Sequence, residues 1–173
     1  MTSSIYIINN SYLSTLDLAG LRVVGGNINI DSNDLLATVD LGSLQKVGGH
    51  LQIHTNKLLT DLVLGGLQTV GTHLQIYYNE LVTDLDLGGL QTVGAWLIIR
   101  NNADLAEITA NNLTKIGGSL SIHSNNASLR PFDGLPSLDC VRSADVIYLG
   151  DCGPALRIRV MAAAARWGTV NCH

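Results

Sequence analysis

Seven side chains capable of recognition chemistry fall at related positions in the sequence: His50, His54, His73, Tyr77, Trp96, Arg100 and His123. Imidazole, phenol, indole and guanidinium are planar groups with polar tips, and gathered on one surface they suit binding of a protein or glycan. Histidine changes charge near neutral pH, so binding that varies between about pH 5 and 8 is expected of such a surface. His50 and His73 stand 23 residues apart, close enough for a shared ion once the chain is coiled at that spacing. No cysteine or carboxylate stands beside them to complete a site, Asp31 being distant, so neither a metal nor a cofactor is expected.

A second set, Thr15, Thr38, Asp61, Asp84 and Glu107 with Asp17, Asp40, Val63, Asp86 and Thr109, reads as a mildly acidic stripe. Calcium bridging Asp61, Asp84 and Glu107 is one reading of it. A solvated face that discourages lateral aggregation is the expected one. No Ser/His/Asp grouping or pair of catalytic carboxylates stands out, and no glycine loop joins a strand to a long helix. No catalytic residue is assigned, and the chain is expected not to be an enzyme.

What positions these residues is a repeat. Ile5, Ile28, Leu51, Leu74, Leu97 and Leu120 recur every 23 residues, each followed two positions on by Ile. Asn10, Asn33, Asn56, Asn79 and Asn102 form a further column, and Gly25, Gly48, Gly71, Gly94 and Gly117 another. Alternation such as Leu74-x-Ile76 and Leu85-x-Leu87 is the period of a strand with one buried face. The intervening segments are short and glycine-rich, so each unit reads as strand, turn, short strand, turn. One such unit cannot bury its apolar side alone; stacked units can. The asparagines are expected to bond corner backbone and to ladder from coil to coil. The glycines mark corners that need positive φ or close backbone approach.

The expected architecture is therefore all-β: a parallel β-solenoid of about six 23-residue coils forming a single domain over residues 1–173. Five regular coils span 5–119 and degenerate terminal coils span 120–150, where the spacing alters. Residues 151–173 are expected to form a cap, because Leu156, Val160, Met161, Ala164 and Trp167 share one helical face.

The pattern L-x-I-x-x-N-x-x-L-x-x-L-x-L-x-x-L-x-x-V-G resembles the repeats of receptor L-domain-like proteins over about residues 5–150. Those are leucine-rich right-handed β-helices of insulin and epidermal growth factor receptor ectodomains, fungal cell-wall proteins and microbial surface proteins. The resemblance implies a partner-binding role with no catalytic residues to carry over, and a secreted or cell-surface location. The chain departs from the receptors in lacking cysteine-rich neighbours and an evident N-terminal cap. Self-association through that uncapped coil, as a structural or assembly protein, is the alternative expectation.

Composition narrows the partners. Of 173 residues, 46% are hydrophobic but only 14% charged and 5% aromatic, so Leu, Ile and Val must build the core. A net charge of −4 argues against nucleic acid. No apolar run suits membrane insertion, and no signal peptide is visible after Met1. Cys140, Cys152 and Cys172 are too few and too unevenly spaced for a disulfide scaffold or zinc site. A single bridge such as Cys140–Cys152 and three reduced thiols are both compatible with them.

Overall fold

Residues 3–126, Leu129 and the backbone of Cys140–Val141 are described by the structure, a computed structural model. They form stacked parallel coils, a β-solenoid of about five turns. The first sheet contains Ile5–Ile8, Ile28–Asp31, Leu51–His54, Leu74–Tyr77, Leu97–Arg100 and Leu120–His123, neighbours in that order. Register is strict: Leu51 pairs with Leu74, Leu74 with Leu97 and Leu97 with Leu120. A slip of one residue would turn each buried Leu and Ile outward, which is why the alternation fixes the pairing.

Each coil has three sides rather than the two strands read from the sequence. The second side carries Thr15–Asp17, Thr38–Asp40 and Asp61–Val63 in one sheet, then Asp84–Asp86 and Glu107–Thr109 in another. The third side stacks two-residue strands, from Val23–Val24 through Lys115–Ile116 to Cys140–Val141. Two residues are too few to display an alternation, so that side was invisible to periodicity.

The interior is filled. In one coil Leu51, Ile53, Leu59, Leu64, Leu67 and Val70 are all fully buried. Each such side chain contributes roughly 1.5–3 kcal/mol of transfer free energy. The first coil is the exception: Ile5, Ile7, Leu13, Leu16, Leu18 and Leu21 are only partly buried, because they pack against a coil on one side only.

The corner after the first sheet holds the asparagines. Asn33, Asn56, Asn79 and Asn102 are each 0% exposed. Asn56 donates from Nδ2 to the Ile30 carbonyl (3.1 Å) and to Asn79 Oδ1 (3.3 Å), and the Asn56 backbone N–H reaches the same Oδ1 at 3.2 Å. The ladder runs past the expected five positions, because Asn102 donates to Asn125 Oδ1 at 3.1 Å.

The described glycines do not supply the positive φ expected at the corners. No described glycine has positive φ; the left-handed residues are Asn9, Ser32, Thr55, Tyr78, Asn101 and Ser124, with φ of 54–58°. The glycine column answers to close approach instead. A methyl group at Gly71 would overlap the Gly48 carbonyl, and one at Gly94 the Gly71 carbonyl. The described residues contain no helix. The expected cap over 151–173, Cys152, Cys172 and the Cys140 side chain lie outside them.

Candidate functional site

Alternation in the first sheet sends Leu and Ile inward and the intervening residues out, giving three outward columns one coil apart. Neighbouring strands lie about 4.8 Å apart, which is ring-stacking distance. Residues at one register position therefore touch their counterparts in the next coil.

The column Asp31, His54, Tyr77, Arg100 forms a continuous chain of contacts. Ser32 Oγ donates to Asp31 Oδ1 (2.8 Å), and His54 Nδ1 lies 2.9 Å from the same oxygen. The His54 ring stacks on Tyr77 with centroids 4.5 Å apart and planes 6° from parallel. The Arg100 guanidinium lies over the Tyr77 ring, 5.2 Å from its centroid. His123 follows in register with Arg100, its Nδ1 3.1 Å from Ser124 Oγ.

The column preceding the strands carries His50, His73 and Trp96. Asn27 Oδ1 accepts the His50 backbone N–H at 3.0 Å. His73 and Trp96 pack with centroids 4.6 Å apart, tilted by 34°. The Trp96 ring rests where any side chain at Gly118 would have to go. Between these two columns Gln52 Nε2 donates to Gln75 Oε1. Buried Asn29 Oδ1 and His73 Nδ1 have no hydrogen-bond partner.

Burial shapes the electrostatics. It pushes His50 below its usual value, and the neighbouring His73 charge adds to that. Burial also lowers His54, outweighing the opposite pull of Asp31. The 2.9 Å contact therefore reads, at neutral pH, as a neutral imidazole N–H donating to a carboxylate rather than as a charged pair. Burial first, then Asp31, raises the Tyr77 phenol, with Arg100 opposing.

Five of the seven residues singled out by type and spacing thus pack together in the two columns, and His50 and His123 extend them by a coil at either end. One member was missed. Tyr78 occupies the left-handed corner at φ 55°, where Asn9, Ser32, Asn101 and Ser124 are small and polar. Its ring meets Tyr77 edge-on at 5.7 Å and lies 5.7 Å from the Arg100 guanidinium, and it is 45% exposed. A bulky side chain in that backbone region costs about 1–2 kcal/mol, which marks the position. The signal available in the sequence was the corner column itself, an aromatic where the others are Asn, Ser or Thr.

A second unforeseen feature borders the site. Tyr12, Leu35, Leu58 and Leu81 recur at the corner as exposed apolar side chains, each three positions past a left-handed residue.

The acidic stripe is arranged differently. Asp84 pairs in register with Glu107, but the sheet is interrupted between Asp61–Val63 and Asp84–Asp86. Among the described residues no three His, Cys, Asp or Glu side chains gather as a metal site requires. No described helix is long and apolar enough to cross a membrane. No family model, curated protein or solved structure matches the chain.

Proposed function

We propose that the chain is a non-enzymatic binding module of the leucine-rich L-domain type that takes a protein or glycan on the outward face of its first sheet. The solenoid is read as about six coils, closed at its C-terminal end by a helical cap within 151–173. The observation that carries the reading is the packed stack His54–Tyr77–Arg100 beside His73–Trp96. These rings hold one another in place, so a ligand meets polar tips already ordered and little rotamer entropy is lost on binding. The filled interior supports a surface-binding role over catalysis in a cleft. The test is a screen on glycan and protein arrays with wild type and the Tyr77→Ala/Trp96→Ala variant. A ligand held by wild type and lost by the folded variant is expected. Equal retention by both, or no ligand at all, would overturn the reading.

Self-association is the second reading, favoured by the exposed Tyr6, Ile8 and Tyr12 of the first coil and by the ridge continuing through Leu35, Leu58 and Leu81. Its strand Ile5–Ile8 is the edge of the first sheet, and edges pair. Sedimentation velocity across a concentration series decides it: a monomer throughout would dismiss this reading.

A further inference from the structure

We propose that Arg100 is the anion anchor of the outward face, and that the ligand is a carboxylated glycan lying along the solenoid axis. This rests on the binding reading above and names its ligand.

Arg100 differs from the other described cations. Arg22, Lys46, Lys57 and Lys115 are exposed, and Lys57 already pairs with Asp34 at 3.4 Å. Arg100 is partly buried and held by two tyrosine rings, 5.2 and 5.7 Å from their centroids. Yet it has no ion pair with any described carboxylate. The nearest acid in its own column, Asp31, is engaged by His54 and Ser32. A guanidinium seated against rings keeps its N–H donors in the plane, where they match the two oxygens of a carboxylate. The rings that seat it include Tyr78, retained in a strained corner.

The glycan assignment follows from periodicity. Stacked face to face, His54 and Tyr77 cover each other's faces and turn ring edges outward. The column therefore presents imidazole and phenol edges and then the Arg100 guanidinium in succession, one per coil, beside the Gln52–Gln75 amides. A ligand along the axis meets a polar tip about every 4.8 Å. A pyranose ring is close to that length and offers hydroxyls at each step. An extended peptide advances about 3.3 Å per residue, so its groups fall out of phase with the coils.

The test is calorimetric titration at low salt with β-1,4-linked glucuronate oligomers and with cello-oligosaccharides of equal length, which differ only in the C6 carboxylate. Wild type should bind the glucuronate form at least about 10-fold more tightly, with affinity rising with chain length over several sugars. Arg100→Gln should lose about 10- to 100-fold for the glucuronate form and little for the neutral form. Arg100→Lys should fall between, because it keeps the charge and loses the fork. Circular dichroism and melting confirm that both variants fold. Equal affinity for the two sugars, or an unchanged Arg100→Gln, would overturn the anchor. If Tyr77→Ala/Trp96→Ala still lost both sugars, the binding face itself would stand. Equally tight binding of polyglutamate would overturn the glycan assignment. Binding of neither sugar would overturn the inference, leaving the face to be judged by the array screen.

Discussion

Replacing Asn79 by alanine removes one rung from the middle of the asparagine ladder. Asn79 Oδ1 accepts the Asn56 backbone N–H at 3.2 Å and Asn56 Nδ2 at 3.3 Å, while Asn79 Nδ2 donates to the Ile53 carbonyl at 2.9 Å. It also reaches the Tyr77 carbonyl at 3.3 Å. In the alanine variant the buried Asn56 N–H loses the acceptor it has in the ladder, which costs about 1–3 kcal/mol. The lost bonds to the two carbonyls add roughly 0.5–1.5 kcal/mol each, so the expected destabilisation is about 2–6 kcal/mol. Asn10 is the internal control, because it is exposed and no described group donates to its Oδ1. Asn10→Ala removes the bonds from Nδ2 to the Ile8 carbonyl (3.2 Å) and to Asn33 Oδ1 (3.1 Å), which water can replace. Its cost should be about 1 kcal/mol or less. Urea unfolding followed by both circular dichroism and tryptophan fluorescence measures the two variants, and coincident transitions check that the coils melt together. Equal costs at Asn10 and Asn79, or less than about 1 kcal/mol at Asn79, would refute the claim that buried amide bonding holds the corner.

Further outcomes follow from other parts of the coil. Thr55 is a β-branched residue at φ 58°, so Thr55→Asn should stabilise by about 0.5–1 kcal/mol in the same unfolding assay; a loss would contradict it. Gly71→Ala places a methyl group 2.8 Å from the Gly48 carbonyl carbon and should cost about 2–3 kcal/mol, whereas a neutral result would mean the coils can separate freely. Folded His50 and His54 titrate below the free imidazole value, so the unfolded chain binds protons more readily there. Their stability contribution is full above about pH 6.5 and is lost as pH falls through the lower folded values. Melting temperature should therefore drop on acidification, less steeply in His50→Gln; a wild-type melting temperature that rose from pH 7 to 5.5 would oppose this.

The fold was legible wherever a single chemical need repeated every 23 residues. Leu74 and Ile76 with their counterparts gave the first sheet and its register, because only one alternation places them all inside. The buried asparagines were legible for the same reason. The left-handed corner was not, since Asn9, Ser32, Thr55, Tyr78, Asn101 and Ser124 share a backbone conformation but no side-chain type. The glycines drew attention away from it, although their role is to let one coil's backbone lie against the next. At the site, spacing alone aligned His54, Tyr77 and Arg100. It could not show that Tyr78 folds back onto Arg100 or that His54 is bonded to Asp31, because both depend on where a side chain turns after the strand.

Where a ligand touches the protein decides whether the first sheet is the binding face. The direct measurement is backbone amide chemical-shift mapping while a ligand recovered from the arrays, or a glucuronate oligomer, is titrated into labelled protein. Binding on the first sheet should give shifts clustered at His50–His54, His73–Tyr78 and Trp96–Arg100, largest around Tyr77, Tyr78 and Arg100. Shifts centred on Thr15–Asp17, Thr38–Asp40 and Asp84–Asp86, with the first sheet unmoved, would contradict it.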